Sequence, residues 1–459
     1  MTPAEIAALL ASAVGAERVL TGDAISDDYA HDEALTAAPQ RPAAVVRPES
    51  ADEVAAILRT AAAHRIPVTA RGAGTGLSGG CVPCAGGILV SFERMNRVLE
   101  VDAANFVATV EPGVQLDQLD AELAPHGLVY PVYPGEYSAS LGGNVATNAG
   151  GMRAVKYGVT RQNVLGVEAA LTSGDVIRCG GKLIKTSTGY DLTQLIVGSE
   201  GTLALVTKAH LRLYPRAAHA ATVLAPFATL DEVTEAVPKV VASGLGPLML
   251  EYIDVMTMAA MINGLGLKLG IPDEIRGKAL AYLVVGLEGA REDRVEEDVQ
   301  AAGELLAELG ALDVYVLPPS AGRELIEARE KAFFLAKSSN ADDVIDVVVP
   351  RAAIAPFMQR VREIAQSHAS LIAGCGHAGD GNVHMAVFQK DPEVRGRILH
   401  ALFEAGMALG GAISGEHGLG KEKKKYFQAL EDPVKIALMR RIKAAFDPDG
   451  ILNPGTIFD

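Results

Sequence analysis

Two short strings carry most of the reactive side chains of this chain. The first is Gly374-Cys375-Gly376-His377-Ala378-Gly379-Asp380-Gly381-Asn382-Val383-His384. The second is Ser414-Gly415-Glu416-His417-Gly418-Leu419-Gly420-Lys421. Imidazoles and a carboxylate on tight turns suit a divalent metal, with a spare imidazole left for proton transfer. The glycines let the backbone turn sharply and let other groups approach it. Leu371-Ile372-Ala373 and Met385-Ala386-Val387-Phe388 flank the first string, so it reads as strand, tight loop, strand. Such a loop folds its ends together, which lets His377 and His384 face one point. The bland alternative is a Gly-rich turn with two solvent-facing histidines. The second string, with Glu416 and His417, favours the metal.

Composition bounds what can hold these strings in place. At 459 residues the chain exceeds one ordinary core, so two or three domains are expected. No uncharged apolar run reaches the roughly 18 residues of a spanning helix. Residues 1–10 lack a basic region, carry Glu5 and read as a small amphipathic helix rather than a signal peptide. A net charge of −15 excludes a nucleic-acid partner on electrostatic grounds. It also disfavours simple docking on an anionic membrane, although Lys421, Lys423, Lys424 and Lys425 form a local basic patch that leaves peripheral association open. Four cysteines are too few for a disulfide scaffold, so a cytoplasmic setting is the default. Cys81-x-x-Cys84 has no second pair or flanking histidine to complete a zinc site. Cys375 reads as a small buried thiol.

The N-terminal half is rich in glycine loops. Ser50-Ala51-Asp52-Glu53 reads as a capping box, followed by Val54, Ile57, Leu58 and Ala61 at helical spacing. A strand over 66–70 then runs into Arg71-Gly72-Ala73-Gly74-Thr75-Gly76-Leu77-Ser78-Gly79-Gly80. Successive backbone N–H groups in such a loop suit a pyrophosphate. It matches neither the dinucleotide fingerprint nor the P-loop, because no helix pattern follows and Lys is misplaced. It is therefore a phosphate cradle of another kind, or a flexible loop. Three further Gly-rich segments follow, over 134–151, 157–164 and 185–204. Short strands are expected at 107–110, 164–171, 203–207 and 210–213. Past Arg216 glycine thins out. A strand at 281–287, a charged helix at 291–309, a strand at 345–350 and a helix at 353–369 are expected there.

Taken together and in order, these strings resemble the FAD-linked 2-hydroxy-acid dehydrogenases of the vanillyl-alcohol-oxidase-like flavoprotein superfamily. This group includes glycolate oxidase catalytic subunits and D-lactate dehydrogenases, with D-2-hydroxyglutarate dehydrogenases as further relatives. The likeness runs from about Pro42 to Asn453-Pro454-Gly455. It implies an α+β chain: an N-terminal FAD-binding domain of the vanillyl-alcohol-oxidase/PCMH type over 1–216, and a C-terminal antiparallel-sheet and helix substrate domain over 217–459. Arg71, Gly72, Ala73, Gly74, Thr75, Gly76, Leu77 and Ser78 would hold the pyrophosphate. Pro134, Gly135, Ser140, Gly142, Gly143, Gly150, Gly151, Glu200, Gly201 and Val206 would line FAD, with Asn453 nearby. His377, His384 and Glu416 would hold a divalent ion, zinc or manganese. His417 would be the base, Arg329 the substrate-carboxylate clamp, and Asn382 a further catalytic-site residue.

The departures are informative. Thr75 stands where some members of the superfamily carry a flavin-linking histidine, so FAD is expected to be non-covalent. Hydroxyglutarate-type enzymes carry a Thr and a Lys where this chain has Phe333 and Val344, which favours a monocarboxylate such as lactate or glycolate. The resemblance implies an electron acceptor without naming it. A quinone, a cytochrome or an electron-transfer flavoprotein all fit, as does a homodimer. A metal-dependent hydrolase and a non-catalytic electron-transfer subunit are the rivals from other classes.

Overall fold

The computed structural model describes residues 1–458. Its contacts divide the chain into two compact units. One comprises Met1–Ala149, Val159–Arg216 and Glu416–Asp459, and the other Gly150–Gly158 and Ala217–Gly415. The change of texture at Arg216 therefore coincides with a boundary. The stretch after Gly415 makes its contacts within the first unit.

The first unit holds two main sheets. Strands β1 (Val19–Leu20), β2 (Ala44–Val46), β3 (Val68–Arg71) and β4 (Ile88–Ser91) form one, in the order β1-β2-β4-β3. β2, β4 and β3 are parallel and β1 is antiparallel. Parallel neighbours need a crossover, and the helix Ala51–His64 supplies it between β2 and β3. Its Val54, Ile57, Leu58 and Ala61 are buried on one face, and Ser50 Oγ accepts the Glu53 N–H at 3.3 Å. The expected capping box is only half made. The Glu53 carboxylate accepts the Glu49 N–H and pairs with Arg18 instead.

The second sheet contains β5 (Val98–Asp102), β6 (Val107–Val110), β8 (Val164–Ala170), β9 (Val176–Gly180) and β10 (Leu205–Arg212), in the antiparallel order β5-β6-β10-β8-β9. A small pair, β7 (Leu128–Val129) and β11 (Tyr214–Pro215), lies beside them in the chain. The two short strands expected at 203–207 and 210–213 are one strand, β10. Lys208 and His210 look like a break in the sequence but are its outward positions, alternating with buried Thr207, Ala209 and Leu211.

The second unit is built on seven antiparallel strands: β12 (His219–Phe227), β13 (Met249–Asp254), β14 (Ala281–Gly289), β15 (Tyr315–Leu317), β16 (Asp343–Val348), β17 (Leu371–His377) and β18 (Asn382–Phe388). Their order is β15-β12-β14-β13-β17-β18-β16. The helices Glu292–Glu308 and Ile354–Ser367 form close to where the sequence pattern places them. The first reactive string is a strand–turn–strand, as its glycines suggest. Gly381, at φ +92°, closes the turn between β17 and β18.

Candidate active site

Register gathers the polar side chains of the second unit onto one sheet face. Opposed residues of antiparallel strands point to the same side. His377 is opposite Asn382, and Cys375 is opposite His384. His384 is in turn opposite Asp346, while Ile253 is opposite Cys375. Alternation along β13 then puts Glu251 on the same side as Ile253. The two imidazoles meet edge to face with ring centroids 4.8 Å apart.

Glu251 ties two of the expected site residues together. Its side chain is 1% exposed and its Oε2 lies 3.0 Å from Arg329 Nη2. His377 Nδ1 lies 2.8 and 2.9 Å from the two carboxylate oxygens. Arg329 itself is buried in the last turn of the helix Pro319–Glu330.

Asp346 is equally buried. It accepts Ser414 Oγ at 3.0 Å and the Gly415 N–H at 2.8 Å, so it fixes the loop that enters the second reactive string. Gly415 is required there, because a Cβ would stand 2.7 Å from Asn382 Cγ. One peptide bond further on is Glu416. His377, His384 and Glu416 each offer one ligand atom, all within 4.8 Å of one another. Two imidazole nitrogens and a carboxylate oxygen, without thiolate, fit zinc or manganese. Asn382 Nδ2 lies 3.5 Å from His384 Nε2, and its Oδ1 is buried without a hydrogen-bond partner among the described residues.

Sequence reading missed Glu251 and Asp346. The available signal was a single acid inside an apolar strand, in Leu250-Glu251-Tyr252 and Ile345-Asp346-Val347. Buried acids of that kind persist only with partners.

In the first unit, His417 belongs to a loop held by its backbone. Ser78 Oγ donates to the carbonyls of His417 and Gly418 at 3.1 Å each. The Glu200 carboxylate accepts the N–H groups of Leu419 and Gly420 at 2.9 and 2.7 Å. Burial pushes the Glu200 carboxyl up, and those two amides and Lys423 pull it back down. Glu200, expected to line the cofactor, has its backbone at φ +51° and its carboxylate on the loop that carries His417. Gly420, at φ +51°, lets that loop pass against the Ser78 carbonyl, which a Cβ would strike.

The glycine-rich loop after β3 is built for close approach. A Cβ on Gly72 would collide with Ser140 Oγ. That oxygen accepts the N–H groups of Ala73 and Gly143 at 3.2 and 3.3 Å. Arg71 lies beneath Gly74 and donates to the His31 carbonyl at 2.6 Å, so it braces the loop from within. Asn144 Nδ2, one turn into the helix Leu141–Thr147, is buried and meets no acceptor among the described residues. Asn453 donates to the Gly80 and Glu200 carbonyls at 2.8 Å each, while its Oδ1 is buried without a partner. Among the remaining expected lining residues, Gly135 is at φ +80°, Gly201 is at φ +69°, and Val206 packs partly buried against the core around β10. Gly150 and Gly151 fall in the short segment whose contacts are with the second unit. Cys81 lies 3.5 Å from Arg71 Nη1, and burial pushes its thiol up to about 12. All four cysteines are free thiols.

Comparison with known proteins decides what this architecture is for. Residues 42–180 match the family described as "FAD binding domain", and residues 216–457 match "FAD linked oxidases, C-terminal domain". The chain belongs to the FAD-linked oxidases.

This FAD-linked oxidoreductase is 59% identical to an uncharacterized FAD-linked oxidoreductase of Mycobacterium tuberculosis, over 99% of both chains. It is 37% identical to a D-lactate dehydrogenase of Anaerostipes hadrus, over 97% of this chain and 95% of that one. It is 39% identical to a glycolate oxidase subunit of Bacillus subtilis, over 91% and 89%. The solved structure of p-cresol methylhydroxylase superposes with a TM-score of 0.80 at 17% identity, covering 99% of this chain and 97% of that one, and shares the fold. The fold is therefore a PCMH-type FAD-binding domain with an FAD-linked oxidase C-terminal domain, and the enzyme is an FAD-dependent dehydrogenase or oxidase. The hydrolase and non-catalytic readings fall with that result. No helix among the described residues is long and apolar enough to cross a membrane.

The residues present fit the cofactor. The Gly72 backbone packs directly against Ser140, with no room for a side chain, and Asn144 Nδ2 and Asn453 Oδ1 are buried polar atoms with no hydrogen-bond partner among the described residues. Overpacking by one methyl costs roughly 1–3 kcal/mol. Gly72→Ala is therefore expected to raise the FAD dissociation constant about 5–150-fold, measured as flavin fluorescence released on dilution. Unchanged retention would place the cofactor away from this loop.

Proposed function

We propose that this oxidoreductase converts a D-2-hydroxy monocarboxylate, lactate or glycolate, to the 2-oxo acid, with FAD held non-covalently. The observation that carries this reading is the buried Arg329 guanidinium, paired with a Glu251 carboxylate that also meets His377, whose ring packs on that of His384. A planar guanidinium grips a carboxylate through two parallel hydrogen bonds. That grip orients the neighbouring Cα–H. His417 accepts the hydroxyl proton as general base. His377, His384 and Glu416 would hold a divalent ion, which as a Lewis acid lowers the pKa of a hydroxyl. Bound FAD supplies the two-electron acceptor for the hydride that leaves Cα. Proton and hydride together account for both hydrogens lost.

The side chain of the substrate is read from what the site face lacks. Val344 lies on β16 two residues before Asp346, so it shares the site face and offers no charge to a second carboxylate. Phe333 packs its ring against Phe334 at 5.4 Å between centroids. Thr75 supports non-covalent flavin, because it has no imidazole to form the link. A quinone, a cytochrome, an electron-transfer flavoprotein or dioxygen would serve as the final electron acceptor.

The deciding experiment is a panel of D- and L-2-hydroxy acids with an artificial dye acceptor, run beside acid precipitation of the protein. D-lactate or glycolate is expected to give the highest kcat/KM, and precipitation is expected to leave FAD in the supernatant. A preference for D-2-hydroxyglutarate would overturn the monocarboxylate assignment. Flavin that stays in the pellet would overturn non-covalent binding.

A further inference from the structure

Glu251 has no counterpart in the chemistry described so far. It touches neither of the reacting hydrogens, yet it sits between the carboxylate clamp and a metal ligand. Its neighbours along the strand, Met249, Leu250, Tyr252 and Ile253, are apolar or aromatic, and the strand ends on a second acid, Asp254. Burying a carboxylate in such surroundings is unfavourable unless it is paired. The pairing here is with two groups at once, Arg329 Nη2 at 3.0 Å and His377 Nδ1 at 2.8 Å.

We propose that Glu251 is a positioning residue that couples metal retention to substrate-carboxylate binding. The inference rests on the metal and clamp roles proposed above. An ionised carboxylate only accepts hydrogen bonds. His377 must therefore carry its proton on Nδ1, which leaves the Nε2 lone pair as the ligand atom. The same carboxylate anchors the guanidinium of Arg329. One side chain thus sets the tautomer of a ligand and the aim of the clamp. Loss of its charge should disturb both. Glutamine preserves the shape but offers an amide N–H₂ as readily as a carbonyl, so it no longer dictates the tautomer.

The test uses the FAD-loaded protein. The dissociation constant for manganese is measured by competition with a chelating dye, and oxalate binding is followed through the flavin spectrum at saturating manganese. Glu251→Gln is expected to weaken manganese binding about 10–100-fold, the usual scale for losing an outer partner of a ligand. It should also weaken oxalate binding. His384→Ala removes a ligand outright and serves as the reference. If Glu251→Gln holds manganese as tightly as the unaltered protein while His384→Ala does not, the coupling is overturned and the metal site stands. If His384→Ala binds manganese normally, the metal site is overturned and the coupling with it. A variant that fails to fold does not protect the proposal. Histidine-selective ¹⁵N spectra of the unaltered metal-free protein, assigned by the signal missing from His377→Asn, should show His377 protonated on Nδ1. Protonation on Nε2 overturns the proposal.

Discussion

Exchanging His417 for asparagine is expected to lower kcat on D-lactate or glycolate by roughly 10²–10⁴, with FAD and metal content unchanged. The backbone around His417 is fixed by other groups. Ser78 Oγ holds its carbonyl and that of Gly418, and the Glu200 carboxylate holds the next two amides. None of these contacts uses the imidazole ring, so the substitution removes a proton acceptor without releasing the loop. Stopped-flow reduction of the flavin by substrate separates this step from reoxidation by the acceptor. Reduction at the unaltered rate would move the base elsewhere, with His384 the next group to test.

Stripping the divalent ion with a chelator is expected to abolish turnover while the protein stays yellow. The two losses should separate because the expected ligands of the ion, His377, His384 and Glu416, are different side chains from the residues expected at the flavin, among them Gly72, Ser140 and Asn453. Elemental analysis should find about one ion per chain before treatment, and adding zinc or manganese back should restore activity. Full turnover by metal-free protein would reassign both histidines to hydrogen bonding.

Local features of the fold were legible in the sequence because local physics determines them. The strand–turn–strand around Gly379 and Gly381 follows from glycines between two apolar runs. The helix Ala51–His64 follows from its cap and its spacing. Features that depend on partners far along the chain were not legible. Glu251 meets His377 across 126 positions, and its role exists only because β13 pairs with β17 in one particular register. The Glu200 carboxylate likewise meets the amides of Leu419 and Gly420, more than two hundred residues away, so nothing near it in sequence announces them. The half-made capping box has the same cause, since nothing near Glu53 in sequence announces Arg18.

The segment after Gly415 also governs the order in which this protein can mature on the ribosome. The Val68 N–H donates to the Ile451 carbonyl at 2.8 Å, and the Asn453 N–H donates to the Val68 carbonyl at 2.7 Å. Leu452 therefore extends the exposed edge of the first parallel sheet at β3. A nascent chain released as far as Arg216 still has that edge open, and open edges invite pairing with other chains. At roughly 5–20 residues per second, the remaining stretch takes on the order of 10–50 s to synthesise. The second unit has all its pieces by Gly415 and can close first. The glycine-rich cradle, although encoded early, waits for the latest-made residues to complete its sheet. Translation stalled between Gly415 and Leu452 should yield an aggregation-prone intermediate in which the second unit is complete and the β3 edge is still open.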